Sequence, residues 1–553
     1  MITRRTLLGA SVAALTAPAL FALSQTADGS TTPQRLDVDL VNTVSSQPVY
    51  AYVLGLDPAQ GNSWAFLRSD GRTLHHPPSP TAPGAPLGAD CAIALGAPGG
   101  TPRRIQLPYL SSGRIYFSVG RELVFLINPG PGIALPSVSN PSDPNLATPY
   151  GFCEFTYGPD QLYANISYVD FAAVPIAFDL TAGDGRQRVR GLPADGLEAA
   201  ANALRTQVAA DGGDWARLIV PDSAGRTLRI LSPNTAISAD PSLFHGYLDS
   251  YLAAVWQKYR STDLVIDTQA GWGTVTGRVQ DGVLTFPGVG GFAKPSTAAV
   301  FNCSSAPFTT GNDLMGNLSA RLAAALNRTT LLDDPHQPTG ENPAAFYTAA
   351  RTNHYARVLH ATNPDHLGYA FPYDDVHPAG VDFEGKVQSA RPTLLTVTVG
   401  GAQAGPPNPT PSPQPGGGTS AFATIQAESH SAQSGTAPEN CGDTGGGQDI
   451  GWIANGDWLC YAGVDFGSSG ATRFQARVAS GAAPGVSGLV QVRLDSPTAA
   501  PVGSFAVANT GGWQSWRTVP TDIARTTGTH TVYLTFASGQ GADFVNLNWF
   551  TFG

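Results

Sequence analysis

The sequence predicts a mainly β protein with an α/β subdomain inserted in its first folded region, followed by a separate β-sandwich module. Three observations carry this. The chain of 553 residues holds Gly 63 and Pro 45 with only 13% charged residues, a balance that favours short strands and turns over long charged helices. Short runs alternate apolar and polar residues at the period of a strand, interrupted once by a stretch at helical period. A Pro/Gly/Ser/Thr-rich segment then divides a long first region from a short last one, and the length exceeds what one core supports.

Taken in order, LDVDLVNTV from Leu36 is the first alternating run, and VYAYVLGL, RRIQLPYL, RIYFSVG and ELVFLI follow between Gly/Pro turns. YGFCEFTY and LYANISYVDF continue the pattern to about Leu180. This is sandwich or barrel material. Leu197, Ala201, Leu204 and Val208 then recur at helical spacing, as do Phe244, Leu248, Leu252, Val255 and Tyr259, and Leu314, Leu318, Leu322 and Leu326. Asn342-Pro343 ahead of AAFYTAARTNHYARVLH reads as a helix cap with Pro at the first helical position. Residues 183–380 are therefore expected to form the α/β insert, with WARLIVP, TLRILS and VLTFP as its strands, and PTLLTVTVG near 392–400 as a returning strand.

Residues 401–420, GAQAGPPNPTPSPQPGGGTS, cannot bury enough apolar surface to order themselves and are read as a semi-extended linker. The strand runs resume over 421–553, ending in THTVYLTF and ADFVNLNWFTF, a length suited to one β-sandwich.

The formal net charge of -10, with no Lys/Arg run, excludes electrostatic attraction to nucleic acid or an anionic membrane and is compatible with a neutral polymer. Thr3-Arg4-Arg5-Thr6-Leu7-Leu8 and the apolar run to Leu23 have the form of an export signal over residues 1–28, of bacterial twin-arginine type. Secretion is the expectation. Cys91, Cys153, Cys303, Cys441 and Cys460 fit an oxidising compartment but are odd in number, and no CxxC spacing suggests zinc. His75-His76, His354 and His360 are read as solvated or structurally satisfied, and Asp374 and Asp375 as cleft-lining or turn residues.

The candidate chemistry lies in CEFTYGPDQLYANISYVD, which carries Glu154 and Asp170. Two carboxylates across one cleft can cleave a glycosidic bond, one protonating the leaving oxygen while the other activates water or attacks carbon. Strand alternation turns Glu154 away from Cys153 and Phe155. A regular hairpin about Gly158-Pro159-Asp160 sets Glu154 opposite a residue near Asn165 and leaves Asp170 roughly 15 Å off, at ~3.3 Å per residue. Inverting hydrolases need ~6.5–9.5 Å between carboxyls and retaining ones ~5 Å, so the backbone must depart from a hairpin for the pair to act together. By local pattern alone the two acids read as solvated or ion-paired strand residues ahead of catalytic ones.

The string FCEFTYGPDQLYANISYVDFAAVPIAFDL, with LDVDLVNTV upstream and GYAFPYDDV at 368–376, resembles glycoside hydrolase family 64, the laminaripentaose-producing β-1,3-glucanases of thaumatin-like fold. The resemblance covers about residues 36–400. It implies Glu154 as general acid and Asp170 as general base of an inverting hydrolysis that needs no cofactor, with Thr156, Tyr163 and Ser167 at sugar-contacting positions. Tyr163 stands where that family's pattern has tryptophan, and Ser167 where it has threonine. The acid needs its pKa raised by apolar neighbours, for which Phe152, Phe155 and Tyr157 are close in sequence, while Asp170 must stay ionised against a wetter wall.

The last region resembles a family 6 carbohydrate-binding module of jelly-roll fold, through IQAES at 425–429, GGQDIGWIANGDWL at 446–459, TGGWQSW at 510–516 and FVNLNWF at 544–550. The resemblance implies Trp452 and Trp513 as the rings on which sugar C–H faces stack, with Asn546 and Glu439 as polar contacts. Trp458, Trp516 and Trp549 are expected in the core. It also implies a structural calcium at Gln426, Glu428 and Asn548, two of which lack the carboxylate a calcium site favours. Cys441 and Cys460 flank the Trp452 loop and are expected to form a disulfide.

The whole reads as a secreted, monomeric endo-β-1,3-glucanase acting on β-1,3-glucan. Two other readings stand beside it: a non-catalytic glucan-binding or antifungal protein of the same fold, and a hydrolase of another β-glycan such as xylan.

Overall fold

The computed structural model describes residues 32–44, 47–183, 185–378, 381–401, 419–430, 432–443, 448–468, 470–497 and 499–553. The expected export signal and nearly all of the expected linker lie outside these residues. The chain divides into two compact units, 1–406 and 407–553, each with its own apolar core.

Two sheets give the first unit its β framework. In the five-stranded sheet, Arg35–Asn42 lies between Arg103–Pro108 and Pro392–Val399, with Ile176–Ala182 and Gly185–Val189 beyond. The returning strand Pro392–Val399 thus pairs parallel to the first strand, Asp37 opposite Leu394. The larger sheet runs Lys386–Ser389, Leu162–Ile166, Tyr150–Tyr157, Leu110–Val119, Val49–Asp57, Ser63–Leu67 and Leu74–His75. Alternation along Arg35–Asn42 buries Leu36, Val38 and Leu40 in the same core as Val53, Ile115 and Phe155 from the larger sheet.

Between Gly196 and Thr362 the chain is mixed α/β, as its periodicity predicts. Helices Gly196–Asp211 and Leu314–Arg328 span the predicted Leu197 and Leu314 series. Two helices differ from expectation. The Phe244 series is helical only over Asp249–Lys258, because Phe244 has a left-handed φ of 53°. Asn342 does cap, accepting from Ala344 N, but the helical turn it starts is short, Pro343–Ala345. Tyr347, at φ 60°, breaks the helix and donates its backbone N–H to Arg328 O, so helix His354–Thr362 starts afresh with Asn353 capping Ala356 N. The cause is tertiary: the buried Arg328 guanidinium lies 4.7 Å from the Phe346 ring centroid and bonds Asp374 at 2.9 Å. That ion network, with His360 Nε2 at 2.9 Å from Asp374, makes Asp374 a buried structural residue.

The second unit is a two-sheet sandwich. One sheet is ordered Thr419–Ser420, Trp458–Asp465, Thr529–Ser538, Ser487–Leu494, Gly503–Ala508; the other Ala437–Asn440, Gln448–Ile453, Val545–Phe552, Ala471–Ser480, Gly512–Thr526. All five cysteines are free, against the expected Cys441–Cys460 bridge. Cys460 lies on a strand of the first sheet and Cys441 directly after a strand of the second. Stacked sheets lie ~10 Å apart, beyond the ~7 Å Cα separation a disulfide spans. Trp458, Trp516 and Trp549, expected in the core, are half-buried. Among the described residues no helix is long and apolar enough to cross a membrane.

Candidate active site and sugar-binding face

The strand Tyr150–Tyr157 places Glu154 as the sequence predicts. Glu154 pairs with Asn165 on one side and Arg114 on the other, and Asn165 pairs in turn with Lys386. Residues directly opposite one another in a sheet project to the same face, so Arg114, Glu154, Asn165 and Lys386 form a polar row across four strands. Cys153 and Phe155 are buried on the opposite face.

Phe171 brings Asp170 back to this row. The chain leaves the large sheet after Ile166, and Tyr168 N donates to Tyr369 O at 2.7 Å. Phe171–Ala172 then joins a different sheet, opposite Leu231 and Ile230. The Phe171 ring packs on Tyr150 and Phe152, centroids at 5.3 and 5.8 Å, and Phe152 shares the Glu154 face. Asp170 is further tied by its carbonyl, which accepts from Ser232 N at 3.0 Å.

One guanidinium serves both carboxylates. Arg114 Nη2 lies 2.9 Å from Glu154 Oε1 and 4.0 Å from Asp170 Oδ2, which limits those oxygens to about 7 Å of one another, inside the reach that paired-acid hydrolysis needs. Arg114 Nε also donates to Glu154 Oε1 at 3.1 Å and Nη1 to Tyr116 Oη at 3.1 Å, while Cζ sits 4.3 Å from the Phe152 ring centroid. Asp170 is the acid whose pKa the surroundings raise: burial pushes it up, Arg114 opposes, and Glu154 adds to the rise. The wetter, ionising wall expected around Asp170 is therefore only partly present. Phe155 and Tyr157, expected beside Glu154, face away from it, while Phe152 shares its face and contacts the Arg114 guanidinium that Glu154 bonds.

Thr156 and Tyr163 stand opposite one another on the Glu154 face, and both are partly exposed. Burial together with Glu384, Asp375, Asp382 and Glu154 raises the Tyr163 hydroxyl pKa, so it acts as a neutral donor and acceptor. Ser167 is buried beneath its bridge to Tyr369, so of the three expected sugar contacts it is the one not presented to a ligand. The sequence reading placed Asn165 only as the pairing position of Glu154 and Asp375 as a cleft-lining or turn residue, and it missed Arg114, Asp382 and Glu384. An arginine inside the apolar run RIYFSVG was the available signal for Arg114, because a charge in a buried strand requires a partner.

In the second unit Trp452 is 52% and Trp513 37% exposed, both among the exposed large apolar side chains. Trp452 has φ 53° within a register shift between Ile450 and Ile453, a bulge that turns its ring outward. The Trp513 ring lies flat over Gly481, where a Cβ would come within 2.7 Å of its Cδ1. Asn546 Nδ2 donates to Trp513 O at 3.1 Å and to Glu439 Oε1 at 2.5 Å. Gln514 Nε2 bridges Glu439 Oε1 and Asp449 Oδ2 at 3.0 and 3.1 Å. Trp513, Asn546 and Glu439 are thus one bonded group, enlarged by Gln514 and Asp449, which the sequence reading did not name. Burial and then Glu439 raise the Asp449 pKa to about 6, opposed by the Gln514 bond.

Of the residues expected to hold calcium, Gln426 is exposed and pairs with Trp549, Asn548 Nδ2 donates to Asp443 Oδ2 at 3.0 Å, and Glu428 Oε2 is buried without a hydrogen-bond partner. The set supplies one carboxylate and two side-chain carbonyls, and the orphaned Glu428 oxygen is the feature that favours an ion.

A family model described as β-1,3-glucanase, glycoside hydrolase family 64, matches residues 34–399, and one for the family 6 carbohydrate-binding module matches residues 426–553. A glucan endo-1,3-β-glucosidase of Cellulosimicrobium cellulans is 31% identical over 359 residues, covering 63% of this chain and 63% of that protein. The chain thus matches somewhat under two thirds of that relative's length. A crystal structure of a laminaripentaose-producing β-1,3-glucanase in complex with laminaritetraose superposes with TM-score 0.59 at 34% identity, over 66% of this chain and 98% of the other. For the second unit, an arabinoxylan arabinofuranohydrolase of Paenibacillus polymyxa is 39% identical over 134 residues, 24% of this chain and 20% of that protein. The chain belongs to the glycoside hydrolase family 64 β-1,3-glucanases and carries a C-terminal family 6 carbohydrate-binding module.

Proposed function

We propose that the protein is a secreted endo-β-1,3-glucanase that inverts anomeric configuration and releases short oligosaccharides, laminaripentaose among them. The observation that carries this is the convergence of Glu154 and Asp170 on Arg114. Arg114 grips Glu154 Oε1, which leaves Oε2 to carry the proton given to the leaving oxygen. Asp170 takes a proton from the water that attacks the anomeric carbon from the opposite side. Likeness to the laminaritetraose-bound enzyme supports the choice of glucan. Soluble β-1,3-glucan should yield new reducing ends, and none at any pH would overturn the proposal. NMR of the first product should show the inverted anomer; retention would overturn the inverting assignment alone.

A second reading exchanges the two roles. The pKa of Asp170 is raised by burial while Glu154 bonds a guanidinium, which favours Asp170 as acid and Glu154 as base. Aryl glycosides with good leaving groups separate the readings, because they rescue only the variant that lost its acid. Rescue of Glu154→Gln supports the first assignment, and rescue of Asp170→Asn the second.

The proposal extends to a monomer exported by residues 1–28, with a module that binds the same glucan through Trp452 and Trp513. It extends also to a structural calcium whose one charged donor is Glu428, with the side-chain carbonyls of Gln426 and Asn548. The family 6 relatives include xylan-acting enzymes, so binding should be measured on β-1,3-glucan and xylan side by side.

A further inference from the structure

We propose that His377, Asp382 and Glu384 form a binding site for one divalent transition-metal ion of the zinc or manganese class. Each offers one ligand atom, and the three atoms lie within 4.8 Å of one another. Donors ~2.0–2.2 Å from one metal lie ~3–4 Å apart, a separation that His377 Nε2 and Glu384 Oε2 already have at 3.4 Å.

Two buried atoms point into this group with no hydrogen-bond partner, Glu384 Oε2 and His377 Nε2. Glu384 is 2% exposed, and its other oxygen is taken by Lys386 Nζ. His377 Nδ1 lies 3.0 Å from Pro378 O, and a carbonyl can only accept, so Nδ1 bears the hydrogen. Without a proton on Nε2, the ring aims that lone pair at Glu384 Oε2, 3.4 Å away. Two acceptors facing each other in a buried space repel unless a cation lies between them, and a backbone carbonyl on the second ring nitrogen is how metal-bound histidines are oriented. Asp382 is exposed and completes the set from the solvent side, with Oδ1 accepting from Glu384 N at 3.1 Å. Asp375 is a further carboxyl group close by, as its influence on Tyr163 and Lys386 shows, and the single charge of Lys386 offsets only one of the carboxylates. One imidazole and two carboxylates suit zinc or manganese better than calcium, which prefers an all-oxygen shell. An ion here ties His377, just after the turn at 372–375, to the segment that sets Lys386 beside Asn165 and Gly385 O beside Ile166 N.

The alternative occupant is a proton, which makes His377 an imidazolium paired with Glu384. Isothermal titration of the untagged full chain, stripped with chelator, with Zn²⁺ alone and with Mn²⁺ alone separates the two. One ion per chain is expected, with affinity falling at least 10-fold in Asp382→Asn, an exposed position whose substitution leaves the core intact, and in His377→Gln. No stoichiometric binding, or unchanged binding in both variants, overturns the site. Nitrogen NMR of the His377 ring supplies the second arm: an Nε2 that carries no proton and shifts on addition of Zn²⁺ supports the site, and a doubly protonated ring that persists with Zn²⁺ overturns it.

Discussion

Around Glu154 the charged groups are partly buried and clamped together, while at the Trp452 face the apolar rings are exposed and the polar groups are bonded to one another. Arg114, Glu154 and Asp170 are 12%, 28% and 32% exposed at their side chains, a surrounding that strengthens each charge interaction. Trp452 and Trp513 are exposed, Trp513 with one face against Gly481, and Glu439, Asn546, Gln514 and Asp449 hold fixed hydrogen bonds beside Trp513. Bond cleavage needs fields that act on developing charge; retention of a polymer needs flat apolar area and pre-set donors. The two units are built to be damaged separately.

The largest effect should come from the cleft acids. Glu154→Gln and Asp170→Asn are each expected to lower kcat on soluble β-1,3-glucan by about 10³-fold or more, with binding to insoluble glucan unchanged. Near-normal turnover in either variant would show that the residue is not a catalytic group. If binding fell with turnover, the separation between the two units would itself be wrong.

Arg114→Met tests the clamp, with an expected loss of about 10²-fold. Because Arg114 lowers the Asp170 pKa that burial and Glu154 raise, its removal should push that pKa further up. With Asp170 as the base, the acid limb of kcat/KM lies above the ordinary carboxylate range and moves to still higher pH in the variant. Loss of activity with an unmoved limb would reduce Arg114 to a structural part.

On the binding face, Trp513→Ala should weaken adhesion to insoluble glucan about 10-fold, in line with the ~1.5 kcal/mol that an aromatic contact contributes. Deleting residues from 401 onward should lower activity on insoluble glucan far more than on soluble short chains, because a tethered module raises local substrate concentration only for a polymer it holds. Equal losses on both substrates would assign the second unit a part in the cleft's own chemistry.

The same contrast explains what the sequence disclosed. Strand alternation placed Glu154 opposite Asn165 and turned Cys153 and Phe155 inward, since these depend only on the period of a β-strand. The Trp452 and Trp513 assignments rest on short local strings, and both rings emerge exposed. What stayed hidden depends on contacts distant in the chain. Phe171 finds Tyr150 and Phe152 and so returns Asp170 to Glu154, and Arg328 meets Phe346 and Asp374 and so ends the expected helix after Asn342. Arg114 and the His377 group are likewise assembled by pairing across strands and loops, which periodicity does not encode.

The smallest predicted effect concerns Asp449, behind the binding face, and it is one of stability. Its folded pKa of about 6 lies above the ordinary 3.8, so between those values the folded unit holds a proton that the unfolded chain has shed. The contribution is fully present below about pH 4 and is lost as pH rises through about 6. Calorimetry of the full chain should therefore show the second unit's transition a few degrees higher at pH 5 than at pH 7.5, since over that interval the group contributes about one pKa unit, ~1.4 kcal/mol. Asp449→Asn, which keeps the shape and removes the charge, should narrow that difference while leaving the first unit's transition in place. An undiminished difference in Asp449→Asn would move the titrating group elsewhere in the sandwich. A shift in the first unit's transition would break the independence from which the comparison starts.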